Sequence, residues 1–163
     1  MSEFLLGLKP YLDVHVIVIL AAMLPIIELR GAIPFGIALG LNPLSATALS
    51  ILGSTIPVPF IFFGARPVIN YLMKTKLFKN KAGRIIDRTI RKSGGVKKYG
   101  FLGLLLFVGI PLPGTGAWTG TLAGDLLGMR FKRVFSAVFL GNVLAGIIVY
   151  LISYAAISSI RFF

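Results

Sequence analysis

The sequence predicts an all-α integral membrane protein with two inverted repeats, and three observations carry that prediction. Hydrophobic residues make up 56% of the 163 and mean hydropathy is +0.91, whereas soluble domains are roughly 45–50% apolar. The apolar stretches come in two lengths, one too short to cross a bilayer and one long enough. Local patterns also recur at a nearly constant offset. Pro25 lies 86 positions before Pro111, Gly31-Ala32 lies 85 before Gly116-Ala117, and Leu52-Gly53-Ser54 lies 88 before Leu140-Gly141-Asn142. Three matches in one order, on segments of matching length, point to an ancient duplication.

Composition removes several classes of function. Without cysteine there are no disulfides and no thiolate metal sites. Seventeen Lys and Arg against five acids give a net charge of +12, a balance that by itself permits nucleic-acid binding. Position argues against it, because eleven of the seventeen lie between Arg66 and Lys98, the polar interval between two lipid-soluble halves. With one histidine, no Walker loop and scattered acids, the sequence predicts neither an enzyme nor a metal or cofactor site.

Taken in order, residues 1–13 read as a short interfacial lead-in. Only Lys9 is basic there and the apolar run continues directly, so no cleaved signal peptide is expected. His15 reads as a hydrated interfacial residue or a proton site. Val14–Leu24 is eleven residues, about 16 Å as a helix, roughly half of the ~30 Å hydrocarbon layer. Pro25 stops it, the loop IIELRG follows, and Ala32–Leu41 returns before Asn42 and Pro43. Two half-length arms around a Pro/Gly turn make a re-entrant hairpin, tolerated at depth only inside protein or beside a wet cavity. Leu44–Ala65 then spans, with small residues for close packing and a bend or break at Pro57 and Pro59.

Residues 66–98 form the connector. Apolar pairs at 68/69, 72/73, 77/78 and 85/86 among basic residues predict an amphipathic surface helix interrupted near Gly83, or otherwise a solvated basic loop. Tyr99–Ile110, Pro111–Gly116 and Ala117–Met129 repeat arm, turn and arm, and Val134–Ile157 is the second full span. The domain reading is a single membrane domain, 1–163, with repeat 1 at 14–65, connector at 66–98 and repeat 2 at 99–157.

Topology follows from counting crossings. Each hairpin crosses no times and each span once, so the second repeat is inverted relative to the first. Reading 14–41 and 99–129 as broken spans instead would put Arg66–Lys98 and Arg130–Arg133 on opposite faces. Hairpins put both basic clusters on the cytoplasmic face of the cell inner (plasma) membrane, with both termini extracytoplasmic. The two hairpin tips are then expected to meet near the midplane in a shared polar pocket.

Glu28 and Arg30 interrupt an apolar region of 28 residues, and a charge at such depth costs from about 2.5 kcal/mol upward, so it faces a partner or a polar cavity. They read either as an ion pair that locks the loop or as a binding site. Gly31, Gly114 and Gly116 would allow a ligand close to the backbone, and N–H groups at half-helix starts attract anions. Asp125, five residues before Arg130, reads as bonded to the interfacial basic cluster or as an ion-coupling acid. Trp118 reads as a packing wedge or a stacking surface, and Asn142 as a donor to a loop carbonyl.

ELRGAIP at 28–34 and GIPLPGTGAWTG at 109–120 resemble the signature loops of the small multidrug export protein family, over nearly the whole chain. That family is more distantly similar to the DedA/VTT (SNARE-associated) superfamily of membrane proteins with two re-entrant loops, in which loop acids and arginines are implicated in moving lipids between leaflets. The resemblance places Glu28 and Arg30 at the acidic and basic loop positions and makes Arg66, in FGARP, a counterpart of a DedA arginine. The second loop lacks an acid and an arginine of its own. What the resemblance implies is a transporter or flippase for an anionic lipid headgroup such as a polyprenyl phosphate. Arg30, Arg66, Gly31, Gly114, Thr115 and Gly116 would bind substrate, and Glu28 and Asp125 would couple to H+ or Na+. The alternatives are export of small organic cations and a non-transporting scaffold. Membrane lipids and the substrate are the expected partners, and a homodimer is left open.

Overall fold

The structure, a computed structural model, describes residues 13–74, 79–112 and 114–161. The expected lead-in before Asp13 lies outside the described residues, as does Pro113 of the second turn. All regular elements among the described residues are helices: α1 Val14–Met23, α2 Glu28–Ala38, α3 Pro43–Thr55, α4 Pro57–Lys74, α5 Lys79–Lys92, α6 Gly94–Tyr99, α7 Phe101–Gly109, α8 Ala117–Leu126 and α9 Phe131–Arg161.

Local chemistry sets the ends. Asp13 caps α1, accepting from the His15 amide at 2.8 Å and pairing with His15 Nδ1. Asn42 caps α3 by accepting from the Leu44 amide at 2.9 Å, with Pro43 at the first helical position, where a missing N–H costs nothing. Pro57 and Pro59 likewise fall in the first turn of α4, where amides have no intrahelical acceptor. The expected break at these prolines is therefore confined to Ile56, and residues 43–65 remain one apolar stretch.

Two differences from the sequence reading stand out. The first apolar span closes at Ala65 as expected, but its helix does not stop there, because α4 runs on to Lys74. The connector helix is not interrupted at Gly83, which lies inside α5; a single glycine costs a helix only about 1 kcal/mol, less than its neighbours supply.

Residues 43–65 and 131–155 are long and apolar enough to cross a membrane, and only 28% and 39% of their apolar windows are buried. Phe60, Leu151 and Ile152 stand exposed on them. A core helix of a soluble protein would hide such residues, whereas a bilayer solvates them.

The chain divides into two compact units. Unit 1 comprises residues 1–56 and 142–163 and unit 2 residues 57–141, so the division falls at the start of α4 and within α9. In unit 1, Ile17, Val18, Ala21 and Ala22 of α1 pack with Ala32 of α2, while Leu29 and Ile33 pack with Ala145 and Val149. Small residues bring α1 and α3 together: a Cβ on Gly53 would stand 2.8 Å from the Ala22 Cβ. Ser54 Oγ donates to the Ala22 carbonyl at 3.2 Å.

Unit 2 is built around Val58, Val96, Leu104, Val108, Ala117, Val134 and Val138. It shows the same local contacts 86 to 88 positions later. A Cβ on Gly141 would stand 2.7 Å from the Val108 Cβ, as one on Gly53 would from Ala22, and Gly124 abuts Leu104 and Val134 as Gly36 abuts Val18 and Ala46. The ends of α2 and α8 also match. Gly40 (φ 95) donates to Ile37 and Leu41 to Gly36, at 3.0 and 3.1 Å, and Gly128 (φ 71) donates to Asp125 and Met129 to Gly124, both at 2.9 Å. Each pair is a Schellman cap, which needs the left-handed residue that glycine supplies.

Candidate functional site: a helix break in each unit

The break between α1 and α2 is tighter than the sequence suggested. Only residues 24–27 are non-helical, so Glu28 and Arg30 belong to the first turn of α2, not to a loop. The Glu28 amide donates to the Leu24 carbonyl at 2.9 Å, which closes the turn directly after Pro25. Glu28 takes φ 47 and is alone among the described non-glycine residues in having a positive φ. That conformation costs a residue with a Cβ about 1–2 kcal/mol, and its recurrence at functional positions is well established.

Glu28 is also buried, at 7% exposure, while Arg30 is half-buried. The two charges interact. Residues two apart do not face each other on a regular helix, and the left-handed twist at Glu28 frees its carboxylate from that constraint. The carboxylate also sits at the positive end of the α2 dipole, where a negative charge is favoured. Gly31 lies within the helix, and its missing side chain makes room for Ile27, whose Cγ2 would stand 2.8 Å from a Cβ there.

Unit 1 carries further buried polar groups that the apolar pattern does not require. Asn142 is fully buried and its Nδ2 donates to Thr55 Oγ1 at 3.2 Å, a hydroxyl partner where a loop carbonyl was expected. Thr55 Oγ1 in turn donates to the Ile51 carbonyl at 2.7 Å. Asn142 Oδ1 and the buried Ser50 Oγ find no protein partner among the described residues. A buried oxygen left in that state costs about 1–3 kcal/mol unless water or a cation meets it.

The second break, between α7 and α8, is longer and glycine-dependent. Gly114 (φ 75) and Gly116 (φ 139) supply backbone conformations closed to other residues, and Gly116 is buried while Gly114 is exposed. Thr115 closes the turn: its amide donates to the Leu112 carbonyl at 3.2 Å, and its hydroxyl lies 2.9 Å from that carbonyl and 3.2 Å from that of Ile110. Neither Ile27 before α2 nor Gly116 before α8 offers a side-chain cap, unlike Asp13 and Asn42. At α2 the preceding turn takes up the Glu28 amide instead, whereas the start of α8 presents backbone donors of the kind that suit an anion. Trp118 is half-buried in the first turn of α8.

Asp125 is 2% exposed and lies near the C-terminal end of α8, where the helix dipole opposes a negative charge. It lines a pocket of about 400 Å³ with Arg130, Met129, Phe62, Phe63 and Phe131. The three rings lie 4.9–5.3 Å apart, centroid to centroid. Spacing alone suggested that Asp125 and Arg130 were neighbours, but nothing in the sequence connected them to Phe62 and Phe63. Arg66 lies on α4, and its side chain is outside the described residues. Among the described residues no cluster of His, Asp or Glu could hold a metal ion.

Two helices long and apolar enough to cross a bilayer, with large apolar side chains exposed along them, and short apolar helices broken around charge or glycine point to a membrane protein. Residues 28–148 match the family described as "Putative small multi-drug export protein", and the chain belongs to that family. No curated protein and no solved structure matches it.

Proposed function

We propose that the protein is a secondary transporter that moves the anionic headgroup of a lipid, a polyprenyl phosphate in the reading the DedA resemblance favours, from one leaflet to the other. The observation that carries this reading is Glu28, a buried carboxylate held in a left-handed backbone conformation two residues from Arg30, at a helix break inside an apolar arm. A purely structural ion pair would gain nothing from that strain. Arg30, in the first turn of α2, receives the headgroup, and the start of α8, with Gly114, Thr115 and Gly116, offers a further set of donors. Glu28 exchanges H+ or Na+, and the unmet oxygens of Asn142 and Ser50 provide further cation-accepting groups in the same unit. Arg66, by the DedA resemblance, is a further candidate contact for the headgroup.

The contacts that recur 86 to 88 positions apart support descent of the two hairpins from one duplicated unit. With one crossing per copy the second is inverted, which places the basic connector and Arg130–Arg133 together in the cytoplasm.

A second reading is supported by the pocket at Asp125. A buried carboxylate ringed by Phe62, Phe63 and Phe131 suits a small organic cation, through charge and ring faces together. Proteoliposomes separate the two. Leaflet exchange of a fluorescent polyprenyl phosphate, lost in Arg30→Ala and Glu28→Gln and retained in Asp125→Asn, supports the lipid reading. Efflux of a cationic dye lost in Asp125→Asn, without lipid movement, supports the other.

A further inference from the structure

On unit 2 an open apolar groove of about 470 Å³ runs along α7 to the second helix break. Gly95 and Tyr99 of α6 form one end, Gly103 and Leu106 of α7 the wall, and Leu112 and Thr115 the other end. Two glycines shape it. At Gly103 a Cβ would collide with the backbone of α6 at Gly95, so the two helices cross in direct contact. At Gly95 a Cβ would meet nothing within 4 Å, so the groove floor is open there.

The foot of the groove is basic. Lys97 and Lys98 are exposed in the last turn of α6, and Lys98 Nζ lies 5.1 Å from the centroid of Tyr99, the exposed ring at that end. Arg84, Arg88 and Arg91 of α5 are exposed nearby in sequence, with Asp87 as the lone exposed acid of that helix among its described side chains. From this foot α7 rises nine residues, about 13 Å, close to half of a ~30 Å hydrocarbon layer. A charged base at headgroup level, an aromatic collar and an apolar wall one leaflet deep match one kind of occupant in charge, polarity and length.

We propose that this groove is a binding site for an anionic phospholipid of the bilayer, one acyl chain lying along Gly103, Leu106 and Ile110 and the phosphate held by Lys97 and Lys98. The groove borders the further set of donors proposed above at Thr115, but lipid binding along α7 does not require transport at the Glu28–Arg30 break.

Photocrosslinking of the full-length protein in nanodiscs tests it. The probes are phosphatidylglycerol and phosphatidylcholine, each with a mid-chain diazirine, and labelled peptides are read by mass spectrometry. Phosphatidylglycerol is expected to label the peptide holding Leu106 and Ile110 in preference to phosphatidylcholine. Lys97→Gln with Lys98→Gln should cut that preference roughly thirtyfold, the loss of two lysine contacts with an anionic headgroup. Gly95→Leu, whose Cβ would meet nothing within 4 Å, should abolish the label at unchanged thermal stability; Leu106→Trp blocks the wall and serves if Gly95→Leu does not fold. Equal labelling by both lipids would overturn the proposal, as would undiminished labelling in a folded groove-filling variant.

Discussion

At the residue scale the account turns on Glu28. Its backbone strain and its burial are separate costs, and both are removed by Glu28→Gly, which should raise the unfolding free energy in detergent by about 1 kcal/mol while abolishing transport. Glu28→Gln keeps the strain and loses only the charge, so it should lose transport with no such gain; intrinsic fluorescence melts compare the two. Asp13 offers a quieter test outside the bilayer. The His15 amide, and then its ring, hold the Asp13 carboxyl below its ordinary range. A depressed carboxyl stabilises the fold above its unfolded pKa of about 3.9, and that contribution is lost as pH falls through the folded value. Protection of the first-turn amides of α1 from hydrogen exchange should therefore drop between about pH 5 and about pH 2, and Asp13→Ala should remove the drop. That Glu28 and Arg30 were special was legible, because charge within apolar sequence is conspicuous. The left-handed twist was not, since nothing in ELRG distinguishes it from an ordinary first turn.

At the scale of elements, lengths were legible and boundaries less so. The short arms around Pro25 and around 111–116 appear where Pro and Gly punctuate apolar runs, yet α2 begins at Glu28 because the turn needs only four residues. Pro57 and Pro59 looked like breakers and act as helix starters, since position within the first turn decides which role a proline plays. Phe62 and Phe63 meet Phe131 and Asp125 only through tertiary packing, which no local pattern encodes. The glycines carry the element-scale prediction. Gly53→Ala and Gly141→Ala each drive a Cβ to within 2.8 Å or less of a neighbouring core atom, and each should cost about 1–3 kcal/mol. Gly64→Ala, which meets nothing within 4 Å in α4, should instead stabilise by about 0.5–1 kcal/mol. Equal costs at 53 and 141 in thermal melts would support one ancestral hairpin; a cost at only one would count against it.

For the whole molecule, composition and the lengths of 43–65 and 131–155 place the chain in a bilayer, and the family shared by residues 28–148 agrees. The proposed hairpin topology has a consequence for sidedness. Because the chain contains no cysteine, single cysteines at Arg91 and Lys132 can be labelled by an impermeant maleimide in intact cells and in inverted vesicles. Both should react only in inverted vesicles if each repeat crosses once, and from opposite faces if the arms are broken spans. The most direct measurement is leaflet exchange itself. Protein reconstituted into liposomes with a labelled polyprenyl phosphate should accelerate its exchange under a proton or sodium gradient, and folded Glu28→Gln and Arg30→Ala proteins should return the rate to that of empty liposomes. Exchange that persists unchanged in both variants would contradict the account.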